Sequence, residues 1–213
     1  MFLKGFDVSH WQGKTAIADA MNKIPNAKFV IIKATEGVSY VDPNVEINYK
    51  EAVKEKLMTG FYHYARPEKG NTPEDEAMNF ISTIKQHIGT SVLCLDYEGD
   101  AHKYGYEWAL RWLRTVYRKT GVKPLIYLSG SHVKAYAEIA KEDFGLWIAS
   151  WTTQEKMQKY MQGWKIWALW QYSNSGGTLD LNNFNGTEGQ FLLYAATEKD
   201  IPGYCGCCGC CCE

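Results

Sequence analysis

Short apolar runs alternate along the chain with segments of helical periodicity. The runs are rich in Val, Ile, Leu, Tyr and Trp, as buried strands are. Strands are predicted over residues 2–9, 29–34, 60–65, 92–98, 124–128, 146–151, 166–172 and 179–182. Helices are predicted between and after them, over 15–23, 42–55, 72–87, 108–121, 132–140, 154–161 and 187–196.

This alternation with short connections is typical of parallel strands joined by crossover helices, and eight strands favour a closed barrel. We expect the α/β class and a single irregular TIM-like (β/α) barrel with parallel strands. Its last quarter should lack a full complement of helices, because residues 173–178 leave no room for one. The 213 residues fit one domain, the barrel over 1–199, and a flexible Cys/Gly-rich tail over 200–213.

Acidic residues recur where the predicted strands end. The five acids are Asp7 on the first strand, Glu36 just past the second, Asp96 and Glu98 on the fourth and Asp180 on the eighth. In a parallel barrel the C-terminal strand ends surround one mouth, which is where barrel enzymes carry their chemistry. The acids should therefore converge, with Asp7 and Asp180 facing each other across the seam between the first and last strands.

Several carboxylates in one mouth suit the cleavage of glycosidic bonds. We predict Glu98 as the general acid because it comes last on its strand, nearest the opening. Asp96 would stabilise charge or orient a substrate group. Two residues on a strand have Cα atoms roughly 6.5 to 7 Å apart, which does not separate retaining from inverting geometry. Attack by an N-acetyl group of the substrate, with Asp96 polarising the amide, is a third route.

The chain is rich in aromatic residues, which make up 14% of it. Such side chains can stack on sugar rings, and they can equally fill a core. The predicted substrate contacts near the strand ends are Tyr62, Tyr64, Tyr127, Trp151 and Trp170, with Glu36 as a sixth that could instead brace the rim.

The net charge and the positions of the cysteines limit the kinds of binding partner that we expect. A net charge of -1 gives no electrostatic attraction to nucleic acid or an anionic membrane. The N-terminus has no long apolar stretch, so we expect neither membrane insertion nor a signal peptide, and synthesis in the cytoplasm. One of 7 cysteines, Cys94, lies in the body. We expect no metal, no cofactor and a monomer, unless the six cysteines over 205–212 crosslink chains.

Seven motifs taken together resemble glycoside hydrolase family 25, the lysozymes and phage endolysins that cut peptidoglycan. They are residues 7–13 (DVSHWQG), 33–37 (KATEG), 60–64 (GFYHY), 96–98 (DYE), 147–151 (WIASW), 170–172 (WQY) and 179–182 (LDLN). The resemblance spans residues 4 to about 192 in the family's order.

The resemblance implies Glu98 as proton donor, Asp96 as second catalytic carboxylate, and Asp7 and Asp180 as supporting acids. It implies hydrolysis of the β-1,4 bond from N-acetylmuramic acid to N-acetylglucosamine in bacterial cell walls, after release of the enzyme from the cell. Net retention by the neighbouring-group route is the favoured mechanism. Two alternatives stay open: a glycan-binding barrel without catalysis, and a chitinase-like barrel hydrolase.

Overall fold

The computed structural model describes residues 2–174 and 179–201. The strands in this part are β1 Leu3–Val8, β2 Phe29–Glu36, β3 Tyr40–Val41, β4 Met58–Tyr64, β5 Val92–Asp96, β6 Leu125–Ser129, β7 Gly145–Ala149, β8 Leu169–Ser173 and β9 Asp180–Phe184. The α-helices are α1 Ala16–Lys23, α2 Val45–Lys54, α3 Pro73–Thr83, α4 Gly105–Thr120, α5 Ala137–Ala140, α6 Gln154–Gln158 and α7 Glu188–Ala195. Short 3-10 turns join several of them, including His10–Gln12 and Gly99–Tyr104.

Eight strands close into a barrel. Their order is β1-β9-β8-β7-β6-β5-β4-β2, and pairing of β1 with β2 completes the circle. The two-residue β3 pairs with the end of β2 outside the circle. The predicted irregular α/β barrel is therefore confirmed.

One strand departs from the predicted all-parallel arrangement. β9 runs antiparallel to both of its neighbours, β1 and β8. A parallel return needs a crossover of a dozen or more residues, and the few residues between β8 and β9 cannot supply it. Asp180 is thus the first residue of its strand, and not near the C-terminal end as predicted, yet it lies at the mouth opposite Asp7. Part of the predicted loop, residues 175–178, lies outside the described residues.

Other boundaries also shift. β5 ends at Asp96, so that Glu98 follows the strand, although its φ of -141° and ψ of 178° keep the backbone extended. β8 begins at Leu169 instead of residue 166, since Ile166 is 64% exposed. The helix predicted over 72–87 ends at Thr83 and continues as a 3-10 turn. It begins as expected, with the Thr72 side chain accepting a hydrogen bond from the backbone of Asp75.

The strands separate two apolar layers. Residues such as Val30, Ile32 and Leu95 point outwards and pack with the helices. Alternate residues such as Phe29, Ile31 and Val92 fill the barrel interior, as the two-residue period of a strand requires. Helix α7 belongs to this inner cluster and closes the end opposite the mouth: its Phe191 lies 5.1 Å, between ring centroids, from both Phe29 and Phe184. Within the described ranges, helices lack the length and apolar character that crossing a membrane requires.

Candidate active site

The mouth of the barrel gathers the four acids predicted as catalytic. Asp96 is in register with Tyr64 on β4 and Tyr127 on β6. Across the seam, Asp7 of β1 is in register with Asp180 of β9. The side chains of Asp7 and Asp96 extend the inward-facing rows of their strands, so they stand on top of the apolar interior.

Asp7 is the most firmly held of the acids. Its Oδ2 accepts hydrogen bonds from Asn182 Nδ2 at 2.6 Å and from Gln171 Nε2 at 3.1 Å. Gln171 Oε1 in turn accepts from the Tyr127 hydroxyl at 3.1 Å, and Asn182 Oδ1 accepts from Trp147 Nε1 at 2.8 Å. Burial and the neighbouring Asp180 raise the pKa of Asp7 to about 8, against the effect of the two amide donors.

Asp96 has an oxygen with no partner. Its Oδ1 is buried and accepts no hydrogen bond from any residue within 2–174 and 179–201. Burial raises the pKa of Asp96 well above its usual value and the charge of Glu98 adds to the rise, whereas Lys33 opposes it. An unpartnered buried carboxylate oxygen costs free energy, and a ligand that donates to it can recover that cost.

Glu98 stands at the rim, partly buried. Burial and then Asp180 raise its pKa, which suits an acid that must hold a proton near neutral pH. Lys33, Arg66 and the Tyr64 hydroxyl lower the pKa of Glu98 and so oppose this rise. Burial also raises the pKa of Asp180. The cluster therefore contains several carboxyl groups whose charges disfavour one another.

Glu36 has a different role from the other acids. Its Oε2 lies 2.7 Å from Lys33 Nζ, and its Oε1 accepts from Arg66 Nε at 2.6 Å. Burial raises its pKa, but the hydrogen bonds and charges of these two cations lower it overall. Both oxygens of Glu36 are thus paired with cations at the rim.

The predicted aromatic contacts divide into three groups. Tyr62 and Tyr127 pack against the apolar cluster of the barrel interior, in register with Cys94 and Asp96 respectively. Tyr64 lies beside Glu98, and Trp151 is 61% exposed beyond the end of β7. Trp170 is 7% exposed and donates its Nε1 hydrogen to the Ser150 carbonyl at 2.8 Å. The structure thus places Trp170 in the outer core layer, where packing accounts for it.

Sequence reasoning missed the amides and cations of the mouth. Gln171 and Asn182 hold Asp7, and Lys33 pairs with Glu36 from within β2. The alternation of side chains along a strand could have indicated two of them, because residues two apart face the same side. Asn182 comes two residues after Asp180, and Lys33 comes two residues after the inward-facing Ile31. Within the described ranges, no group of three or more His, Cys, Asp or Glu is arranged to hold a metal ion.

The model of glycosyl hydrolases family 25 matches residues 6–181. The chain belongs to glycosyl hydrolases family 25. It is a glycoside hydrolase of the lysozyme or muramidase type. The matched range includes all four predicted catalytic acids of this family 25 chain.

Relatives share about the same level of identity. Lysozyme M1 of Streptomyces globisporus is 29% identical over 215 residues, which cover 91% of this chain and 71% of that protein. The uncharacterized protein YegX of Escherichia coli O157:H7 is 28% identical over 212 residues, 94% of this chain and 76% of that one. The solved structure of a muramidase from Trichobolus zukalii has a TM-score of 0.76 and 27% identity, covering 91% of this chain and 98% of that chain.

Proposed function

We propose that this family 25 enzyme is an N-acetylmuramidase. It hydrolyses the β-1,4 bond between N-acetylmuramic acid and N-acetylglucosamine in the peptidoglycan of bacterial cell walls. Names in the family support this choice, since relatives include Lysozyme M1 and a fungal N,O-diacetylmuramidase. The acid cluster at the mouth, with aromatic residues below and beside it, supports sugar as the substrate.

In the first half of the reaction, protonated Glu98 donates its proton to the glycosidic oxygen. The bond from that oxygen to C1 of N-acetylmuramic acid breaks, and the carbonyl oxygen of the 2-acetamido group attacks C1 from the other face. An oxazolinium ring forms and the N-acetylglucosamine end leaves as an alcohol. The raised pKa of Glu98 keeps a fraction of the enzyme protonated for this step.

Asp96 orients the acetamido group. The observation that carries this role is the buried, unpartnered Oδ1 of Asp96, which can accept the amide N–H of the substrate. As that nitrogen gains positive charge, the carboxylate stabilises it. Ionised Glu98 then removes a proton from water, which attacks C1 and opens the ring, so that C1 ends with its original configuration.

Asp7 and Asp180 support this pair. Asp180, together with burial, raises the pKa of Asp7 and of Glu98, and Asp7 contributes to the raised pKa of Asp96. We propose that Tyr62, Tyr64, Tyr127 and Trp151 line the path of the glycan. Residues 1–199 form the catalytic domain in this proposal, and the enzyme acts as a monomer without a cofactor. The tail cysteines over 205–212 lie outside the described residues.

The test is product analysis on purified protein with a bacterial wall suspension between pH 4 and 8. Mass spectrometry should find muropeptides that end in reducing N-acetylmuramic acid, and proton NMR of the first products should find the β-anomer. Release of α-anomer first would overturn the neighbouring-group route. Absence of any reducing ends over that pH range would overturn the muramidase proposal itself.

Substitution of the acid separates catalysis from binding. Glu98→Gln should lower turnover about 100-fold to 10,000-fold, the usual contribution of a general acid, and should still bind wall fragments. Glu188→Gln, an exposed glutamate on α7 at the other end of the barrel, is the matched control. Cutting by Glu98→Gln at the wild-type rate would point to a glycan-binding barrel, and cleavage of chitin oligomers with sparing of walls would point to a chitinase.

A further inference from the structure

The side chain of Tyr64 is bracketed by two cations at the rim of the mouth. Lys33 Nζ lies 4.9 Å from the centre of its ring and Arg66 Cζ lies 4.7 Å from it. We propose that Lys33 and Arg66 are positioning residues, which hold the Tyr64 hydroxyl against Glu98 and so set the pH range in which Glu98 can act as the acid. This inference rests on the proposed role of Glu98.

The hydroxyl of Tyr64 is in the right place. A Cβ atom built on Gly99 would lie 3.7 Å from it, so the hydroxyl abuts the residue that follows Glu98. The hydroxyl lies close enough to the Glu98 carboxylate to lower the pKa of that group. Gly99 has a φ of +58°, which bends the chain directly after Glu98 and is a conformation that favours glycine.

The cations themselves are fixed from two sides. Glu36 receives both of them, Lys33 at 2.7 Å and Arg66 at 2.6 Å. The backbone nitrogen of Arg66 donates to the fully buried Glu76 of α3, at 3.0 and 3.1 Å to its two oxygens. Because Glu76 holds the backbone and Glu36 holds the guanidinium, Arg66 has little freedom to leave the ring. The electrostatic attraction between each cation and the face of the ring adds to this restraint.

Lys33, Arg66 and Tyr64 shift the pKa of Glu98 in the opposite direction from the other groups at the mouth. Four groups shift the pKa of Glu98: Asp180 of β9, Lys33 of β2, Tyr64 of β4 and Arg66, which follows β4. Glu98 in turn raises the pKa of Asp7 of β1, Asp96 of β5, Tyr62 and Tyr64 of β4, and Tyr127 of β6. Burial and Asp180 favour the protonated form of Glu98. Lys33, Arg66 and the Tyr64 hydroxyl favour the ionised form that the second half of the reaction needs.

Loss of the Arg66 charge should move the pH profile of activity in a definite direction. A general acid must be protonated, so the alkaline limb of the pH profile of kcat/KM reports the pKa of Glu98 in the free enzyme. Removing the charge of Arg66 raises that pKa and should move the alkaline limb upwards by about half a pH unit. A residue with a merely structural role would lower activity by the same factor at every pH.

The experiment compares Arg66→Gln, Arg66→Lys and wild type on wall suspensions from pH 4 to 9. Arg66→Gln should show the upward shift, and Arg66→Lys, which keeps the charge, should restore the wild-type position. Arg111→Gln is the matched control, because Arg111 also pairs with a glutamate, Glu74 at 2.7 Å, but on the outside of α4. A limb that stays in place in Arg66→Gln would overturn the proposal.

NMR titration of the Glu98 carboxyl carbon gives a readout independent of turnover. The pKa of Glu98 should be higher in Arg66→Gln than in wild type, and higher also in Tyr64→Phe, which removes the hydroxyl but keeps the ring. Equal values in wild type and Arg66→Gln would overturn the proposal even if the enzyme cuts walls. A protein that cuts no wall would refute the muramidase function, and the NMR shift would still decide whether the cations act on Glu98.

Discussion

The two ends of the barrel interior are built on the same strands and yet contain opposite chemistry. On β5 the inward residues run from Val92 through Cys94 to Asp96. The first two are fully buried in an apolar cluster that ends at α7, and the third begins the acid cluster. The strand backbone does not change between them. A strand can therefore support a core and a reaction a few ångströms apart.

The difference shows where burial stabilises and where it costs. Apolar side chains at the α7 end gain about 1.5 to 3 kcal/mol each from leaving water. Carboxyl groups at the mouth lose free energy on burial unless they stay protonated or find donors, and Asp96 Oδ1 has found none among the described residues. Burial at the α7 end therefore stabilises the fold, whereas burial of the carboxyl groups at the mouth destabilises it.

The largest expected effect tests the closed end. Phe191→Ala removes a ring that packs on Phe29 and Phe184, and should lower the free energy of unfolding by about 3 to 5 kcal/mol, measured by urea titration. Leu193→Ala on the same helix is the control, since Leu193 is 48% exposed and should change stability by less than about 0.5 kcal/mol. Equal stabilities would show that α7 does not close the interior as described.

The next largest effect concerns Asp7 at the mouth, where substitution should raise the free energy of unfolding instead of lowering it. The pKa of Asp7 is about 8 in the fold and near 3.8 in the unfolded chain. The folded state therefore holds the proton more tightly, and stability falls as the pH rises from about 4 to about 8. Asp7→Asn keeps an oxygen for the two amide donors and should be more stable than wild type at pH 9, by a few kcal/mol.

Urea titrations of Asp7→Asn at pH 4 and pH 9 check the sign. The gain should be present at pH 9 and nearly absent at pH 4, and turnover should fall at both. Asp100→Asn, at an exposed acid paired with Lys103, should show no such gain on going to high pH. A variant that is less stable than wild type at pH 9 would mean that Asp7 is better stabilised as an anion than its burial indicates.

The smallest effect concerns the rim. Trp151→Ala removes a ring that is 61% exposed beyond β7, so stability should hardly change. If the ring stacks on a sugar, KM should rise about twofold to tenfold, as expected for 0.5 to 1.5 kcal/mol, with kcat kept. Ile166→Ala, 64% exposed before β8 at the other end, should change neither constant. An unchanged KM in Trp151→Ala would exclude the tryptophan from the glycan path.

The architecture and the position of Asp7, Asp96 and Glu98 at the mouth could be predicted because they depend on short patterns. Strand signals such as 92–98 are local, and the meeting of strand ends at one mouth follows from the barrel alone. The direction of β9 could not be predicted in this way, because a strand of either direction has the same alternation. Asp180 was placed at the mouth for the wrong reason: it begins its strand there.

The finer parts of the site depend on long-range partners. Trp170 and Trp151 both follow apolar runs, and only the fold shows that one is buried against Ser150 while the other faces solvent. Glu36 ends its strand as Asp96 does, but Lys33 of the same strand and Arg66, which follows β4, occupy its two oxygens. Pairings across 30 residues leave no periodicity in the sequence.

The seam between β1 and β9 makes the site a late product of folding. The amide donors of Asp7 lie 164 and 175 residues further along the chain, and Asp180 comes from the same late segment. Contacts so distant in sequence form after local ones, because closing long loops costs entropy first. On a ribosome, a chain that has not yet emerged as far as β8 has Asp7 on its first strand without either amide donor. The order of synthesis thus delays assembly of the acid cluster at the mouth until almost the whole barrel exists.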